Sequence, residues 1–455
     1  MMRMSSRAFV VTVVVCLSSA RAQVGTITEE RVRDTVSWLA ADERRGRDTG
    51  SPELVVVGDW IAGRFEAAGL SQVRDGSWRH EFPLAGWQLD STAVSVTLTR
   101  KQLHDENPVV VTLAPDADVR QWTVGDATSG KDEPCTVAPV DDPVLQQLLR
   151  ANSARQPVVV EVADDHPYWL QAKGKRSVLG GKRQASRPVF LVRKGVLPPA
   201  PAEGEAAWTI GWSTPPAEKV EVPQSNMVAC LRGTTKKDEY VLVSAHYDHV
   251  GVGPEVDGDR IYNGADDDAS GTTAVLLLAE AMAKEPPPAR SILFVCFTGE
   301  EKGLLGSKAF AAEPPVPLDR IVANLNIEMI GRPESGKEGK AWITGVEYSD
   351  FAAIAAPALA AAGVEVVEFA MARQLFMQSD NWSLAQKGVV AHSLSAGSLH
   401  RDYHRPSDEV EKLDIPHMTK IIRALHALTL EFANRDGRPS FNDEGKKRLQ
   451  GRRRG

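Results

Sequence analysis

The chain has 455 residues, enough for one large domain with an insertion or for two domains of ordinary size. With 25% charged residues and a net charge of -7 it is mildly acidic and carries no basic groove, which argues against nucleic acid as a partner. Its 4 cysteines are too few for a disulfide scaffold, although pairing between Cys230 and Cys296 stays open.

The opening MMRMSSRAFVVTVVVCLSSARAQ places Arg3 and Arg7 before an apolar run over 8–17 and a small-residue site at Ala20-Arg21-Ala22. This is the pattern of a secretory signal cleaved after Ala22, and the run is too short to span a bilayer. Removing it takes away Arg3, Arg7 and Arg21 and leaves a net charge of -10. The expected product is exported, periplasmic or extracellular, with no membrane span, because no later stretch approaches about 18 unbroken apolar residues. Thr26-Ile-Thr-Glu reads as a capping box ahead of Val32, Val36 and Leu39 at helical spacing. The polar stretch LAADERRGRDTGSPE interrupts the pattern before a second amphipathic helix over 55–68, closed by Gly69.

From 92 to 223 short β-rich runs (94–98, 109–113, 158–162 and 189–192) alternate with proline, glycine and charged clusters. They predict a β-rich insertion of uncertain fold. Its Trp122, Tyr168, Trp169, Trp208 and Trp212 are read as packing residues of that module rather than walls of a cleft.

Beyond 224, strand-like runs end repeatedly in metal-binding side chains. YVLVSAHYDH (240–249) ends in His246, Asp248 and His249, and IYNGADDDASG (261–271) sets Asp267 and Asp268 ahead of a helix over 272–284. SILFVCF (291–297) leads to Glu300 and Glu301, and the run 321–330 carries Glu328. The run 388–395 precedes His400, Tyr403 and His404. Strands alternating with helices imply a mainly parallel sheet with helices on both faces, whose ligands bind beyond the carboxyl ends of the strands. Imidazole and carboxylate without paired cysteines is the ligand set of hydrolytic zinc. A helix over 416–432 closes this region, and the polar tail 436–455 is expected to be a disordered extension.

The motifs HYDH, NGADDDASG, FTGEEKGLLGS, NIEMIG and YHRPSDE, in this order, resemble the M28 family of zinc metallopeptidases, which includes bacterial leucine aminopeptidases and glutamate carboxypeptidase. The resemblance covers 226–434 and, more weakly, the two N-terminal helices. It implies an α/β fold, a three-layer αβα zinc-exopeptidase type with a mainly parallel central sheet. The implied division is signal 1–22, N-terminal helical part 23–91, insertion 92–223, catalytic core 224–435 and tail 436–455. Family members often carry a protease-associated domain at the insertion, but that domain's glycine-rich strand pattern is missing here.

The implied cofactor is zinc, two ions or one, acting on peptide substrates. His246 and Glu328 would hold one ion, Glu301 and His404 the other, with Asp267 bridging. Glu300 would be the general base for a metal-bridged hydroxide, and Tyr403 a hydrogen-bond donor to the tetrahedral intermediate. Asp248, two residues beyond His246 on an extended chain, is read as the acceptor of that ligand's second ring N–H. Asp268 matches the position after the bridging carboxylate. His249, His392, His400 and His417 match no family role and are read as structural. Two residues depart from the family: Glu328 stands where aspartate is common, an arm longer by about 1.5 Å, and Asn381 where Ser-Asp-His is frequent. The expected activity is that of a metal-dependent exopeptidase, most simply an aminopeptidase. A carboxypeptidase or dipeptidase of the family, and a non-catalytic binding protein, are the alternatives.

Overall fold

Strands with no polar alternation need cover on both faces, and the apolar runs beyond 224 are placed that way. The computed structural model describes residues 25–73, 76–101, 107–123, 127–139, 156–179, 187–198 and 207–450. The signal read over 1–22 lies outside them. The chain divides into two compact units, Met1–Phe82 with Gln224–Gly455, and Pro83–Pro223.

The first unit is built on β1 (Arg79–Asp90), β2 (Glu218–Leu231), β3 (Lys236–His246), β4 (Arg290–Phe297), β5 (Ile321–Ile327), β6 (Lys340–Ile343), β7 (Glu365–Val366) and β8 (Ala391–Ser395). Their order is β7-β6-β8-β5-β3-β4-β2-β1. The central strands β4, β3, β5 and β8 are mutually parallel, with β2 antiparallel to β4 and β6 antiparallel to β8 at the flanks. Every residue of β4, β5 and β8 is buried. Along β3, Val241, Val243 and Ala245 face one core and Leu242 the other, the period of two expected of a strand between two layers.

One layer comprises α1 (Glu29–Leu39), α2 (Pro52–Ala67), α3 (Gly271–Met282), α5 (Phe351–Ala361) and α6 (Ile415–Asn434), which bury Val36, Ile61, Leu277, Phe351 and Leu425 against the sheet. The opposite layer includes α4 (Leu305–Ala312) and the short helix Asn381–Ala385, packed through Phe310, Trp382 and Leu384. The architecture is the three-layer α/β sandwich expected.

Helix starts differ from the sequence reading for local reasons. The N-cap of α1 is Thr28, whose Oγ1 accepts from the Arg31 N–H at 3.3 Å, not Thr26. Ile27 is fully buried beside Val32, so the apolar pair straddling Thr28 staples the entry to the helix. α2 starts at Pro52 with Ser51 as cap, because proline fits the first turn although it adds nothing to the apolar periodicity. The tail is not a free extension through its described part: Asp443–Gln450 is helical, the Asn442 side-chain N–H donates to the Glu347 carbonyl at 2.8 Å, and Phe441 packs on the apolar core. Two apolar anchors, Phe441 and Leu449, with hydrogen-bonding residues beside them override the polar composition.

The second unit holds two four-stranded sheets. One is antiparallel, in the order Val109–Leu113, Ser95–Arg100, Thr209–Ser213 and Ser129–Pro134; the other is mixed, in the order Val119–Gln121, Val189–Arg193, Val158–Val162 and Thr136–Pro139. Trp208 and Trp212 fill the first core, and Trp169 lies in the second with the Arg120 guanidinium 3.9 Å from its ring. The cysteines Cys135, Cys230 and Cys296 are free and buried, so no bond joins Cys230 to Cys296.

Candidate metal centre

The carboxyl ends of β3, β4, β5 and β8 open on one side, as parallel strands require, and the loops leaving them carry the chemistry. These loops are fixed by buried polar groups. Arg47 is fully buried and donates to the carbonyls of Leu39, Tyr247, Asn263 and Gly264 at 2.7–3.0 Å, tying the HYDH turn to the acidic loop. Asp408 accepts the backbone N–H groups of Asp266 and Asp267, each at 3.1 Å. Asp268 accepts from Gly271 N–H at 3.0 Å and Met329 N–H at 3.1 Å, joining the acidic loop to the end of β5.

Held this way, two clusters share one carboxylate. In the first, His246 Nε2 lies 3.1 Å from Glu328 Oε1 and 3.2 Å from Asp267 Oδ1. In the second, His404 Nε2 lies 3.1 Å from both Asp267 Oδ2 and Glu301 Oε2, and His249 Nδ1 lies 2.8 Å from Glu301 Oε1. A tetrahedron with zinc–ligand arms of about 2.0–2.2 Å has edges of about 3.3–3.6 Å, close to these separations. Asp267 Oδ2, Glu301 Oε1, His404 Nε2 and both ring nitrogens of His249 are buried without a hydrogen bond of sound geometry. Buried polar atoms facing one another without bonding are what a cation between them satisfies.

The electrostatics agree. Burial opposes charge at His246 and His404, yet the adjoining carboxylates pull both imidazoles up, His404 to about 10. Burial also pushes Asp267 and Glu301 upward, but the histidines around them win, and Glu301 falls to about 2. So dense a set of carboxylates demands positive charge, and a divalent ion that displaces the ring protons supplies it. Among the residues present, the donor set fits zinc.

A cavity of about 70 Å³ adjoins the first cluster, walled by Asp267, Glu300, Glu328, Met329, Trp342 and Tyr403 among others. Burial, then the charges of Glu328, Asp380 and Glu301, push the Glu300 carboxyl well above the ordinary carboxylate range. Tyr403 is 40% exposed and stacks on His404 with ring centres 3.9 Å apart.

The structure thus brings His246, Asp267, Glu301, Glu328 and His404 together. The longer arm of Glu328 is pinned rather than slack: its Oε2 accepts from Ser379 Oγ at 2.5 Å and from the Asn326 amide at 3.3 Å. Asn381 lies behind this network, accepting from Ser393 Oγ at 2.8 Å. Two expectations need correction. His246 Nδ1 meets the Asp248 backbone carbonyl at 3.0 Å, while the Asp248 carboxylate stays 3.8 Å away and instead accepts from Thr49 Oγ1 and the Glu300 N–H. Asp248 therefore positions the Glu300–Glu301 turn, because the strand ends at His246 and the chain bends before Asp248. His249, read as structural, stands inside the second cluster. Two histidines within four residues, ahead of an acidic loop, were the available signal. His400, His392 and His417 bind Asp266, Thr344 and Ser349, and Gly339 and Ala396, outside the clusters.

Residues 226–429 match the model of peptidase family M28. The chain carries an M28 peptidase domain. A probable zinc metalloprotease of Pyrenophora teres f. teres is 33% identical over 177 residues, which cover 36% of this chain and 37% of that protein. Aminopeptidase YwaD of Bacillus subtilis is 36% identical over 97 residues, covering 21% of this chain and 19% of that protein. The chain spans about two fifths of the length of the first curated relatives it matches. Among solved structures, the zinc aminopeptidase of Bacillus subtilis superposes with a TM-score of 0.55 at 16% identity, covering 90% of this chain and 96% of that one. A peptidase M28 precursor from Shewanella amazonensis gives 0.53 at 18% identity, covering 94% and 98%. These two establish the likeness of fold. The M28 domain includes every residue of both clusters.

Proposed function

We propose that the protein is an exported, zinc-dependent exopeptidase of the aminopeptidase type, with His246, Asp267 and Glu328 holding one ion and Asp267, Glu301 and His404 a second. The observation that carries this reading is the shared carboxylate, one oxygen of Asp267 facing each cluster beside a cavity bordered by Glu300. Export rests on the leader pattern of residues 1–22; among the described residues no helix is long and apolar enough to cross a membrane.

Zinc at these clusters supplies Lewis acidity toward a peptide carbonyl and makes a water acidic enough to attack at neutral pH. The protein supplies the remaining steps. Glu300, on the cavity wall, takes the proton of the attacking water and returns it to the departing amine. Burial holds this carboxyl toward the protonated form, with the His246 charge opposing, and divalent ions at the clusters would draw it toward the ionised form a base needs. The Tyr403 hydroxyl donates to the oxygen that gains charge as the carbonyl becomes tetrahedral, a contribution of about 3 kcal/mol when the donor is already in place. Asp248 and Thr49 hold the turn that carries Glu300.

The cavity also favours one end of a peptide. Among the described residues no lysine or arginine lines it, so a carboxylate terminus has no cationic side chain to pair with there. Met329, Trp342, Leu375 and Leu399 offer an apolar wall to an uncharged side chain. The test is hydrolysis of matched peptides, free or acetylated at the amino end and free or amidated at the carboxyl end. Peptides with a free amine should be cleaved whether or not they are amidated, and chelation should abolish turnover until zinc is returned. Cleavage that tolerates acetylation and requires a free carboxylate would instead make the enzyme a carboxypeptidase. Full zinc content with no turnover on any peptide would leave a binding protein.

A further inference from the structure

The two clusters differ in the number of side chains they offer. We infer that His249 is a fourth protein ligand of the second ion, so that the site made by His249, Asp267, Glu301 and His404 releases zinc more slowly than the three-residue site at His246, Asp267 and Glu328. The inference rests on the two-ion reading above and goes beyond it by assigning unequal roles to the two sites.

The His249 side chain is fully buried, and neither ring nitrogen has a hydrogen bond. Its Nδ1 lies 2.8 Å from Glu301 Oε1 and 3.7 Å from Asp267 Oδ2, and one ligand atom from each of the four residues falls within 4.8 Å of all the others. A sequestered imidazole without a hydrogen bond of sound geometry, set among carboxylates, calls for a partner, and a cation is the partner this geometry admits. The ring is placed rather than free. The His249 N–H donates to the Arg47 carbonyl at 3.1 Å, and a bridge pairs His249 with Asp48. Gly264, in the left-handed region at φ 57°, lies so close to the imidazole that any side chain there would collide with it. The His249 and His404 rings meet edge to face with centres 5.5 Å apart.

The second observation is which cluster borders the cavity. Glu328 lines it beside the shared Asp267, whereas His246, His249, Glu301 and His404 do not. Four protein ligands hold an ion more firmly than three, and three leave the position a catalytic zinc needs.

Zinc release settles the matter without an activity assay. Wild-type holoprotein is titrated with dipicolinate while free zinc is followed by a colorimetric reagent. Two phases of one ion each are expected, the slower from the four-residue site. In His249→Ala the slow ion should bind at least about 100-fold more weakly, beyond the roughly 10–100-fold cost of losing a group that only touches a ligand. His246→Ala should weaken only the fast ion. After cobalt(II) exchange, the visible bands of the slow site should change in His249→Ala. Two ions released in a single phase, or a slow phase unaltered by His249→Ala, would overturn the inference and leave the two-ion reading intact. Fewer than two ions at saturating zinc would overturn that reading, and this one with it. Should His249→Ala fail to fold, anomalous difference density at the zinc edge in wild-type crystals decides: an ion within about 2.1 Å of a His249 nitrogen supports ligation, and an ion outside that reach overturns it.

Discussion

In the proposed function Glu300 is the residue on which turnover would depend, because its neighbours in the clusters would hold ions and it alone is assigned to move the proton. Glu300→Gln keeps the shape and the backbone N–H bond to Asp248 but cannot accept a proton. Its kcat should fall by about 10²–10⁴-fold with zinc content unchanged, measured by peptide hydrolysis alongside metal analysis. A second residue controls stability rather than rate. His392 is fully buried, its Nδ1–H donates to the Thr344 carbonyl at 2.7 Å, and its Nε2 accepts from Ser349 Oγ at 2.7 Å, a set satisfied only by the neutral ring. Burial pushes its pKa down from 6.5 to about 4, with a hydrogen bond to Thr344 and the charge of Asp350 opposing. The unfolded chain therefore binds the proton first as pH falls. Stability contributed by His392 is whole above pH 6.5 and is lost progressively toward pH 4, by about 3 kcal/mol. Urea midpoints at pH 7 and pH 4.5 should fall more steeply for the wild type than for His392→Gln; equal slopes would assign the acid sensitivity elsewhere.

At the scale of elements, the site depends on loops that Arg47 fastens together. Arg47→Met keeps the volume and strips the donors from carbonyls of Leu39, Tyr247, Asn263 and Gly264. The cost should be about 3 kcal/mol or more, because buried acceptors are left without partners. Chemical denaturation should show that loss together with weaker zinc binding; lost stability with zinc affinity intact would separate the anchor from the site. This residue was illegible in the chain. It stands among Arg44, Arg45 and Lys-like polar company in DERRGR, and its partners lie up to 217 positions away. The strands were legible because β4, β5 and β8 are buried on both faces and so read as unbroken apolar runs. Residues at strand ends were half legible. His246, Asp267, Glu301 and His404 were placed by resemblance to the family's motifs, Asp248 by a strand alternation that stops at His246, and His249 was left structural because it matches no family role. The bend after His246 is what turns His249 inward and the Asp248 carboxylate away.

At the scale of the whole molecule, each of the two units has its own apolar core, and the chain leaves the first at Phe82 and returns at Gln224 on neighbouring strands. Replacing 83–223 by a short turn should leave a protein that melts cooperatively and retains its zinc, read by calorimetry and metal analysis. Loss of the cooperative transition would show that the core is not autonomous. The insertion was predicted as β-rich from its short apolar runs, yet its two-sheet pairing had no signature in them, since register between distant strands is set by packing that one strand's sequence does not record.

The shared carboxylate is the claim on which the rest depends, and metal analysis of the purified protein with and without it is the direct measurement. Wild-type protein should carry two zinc ions per chain, and Asp267→Ala, shown to be folded by circular dichroism, should lose both. Two ions retained without Asp267, or none in the wild type at saturating zinc, would contradict the account.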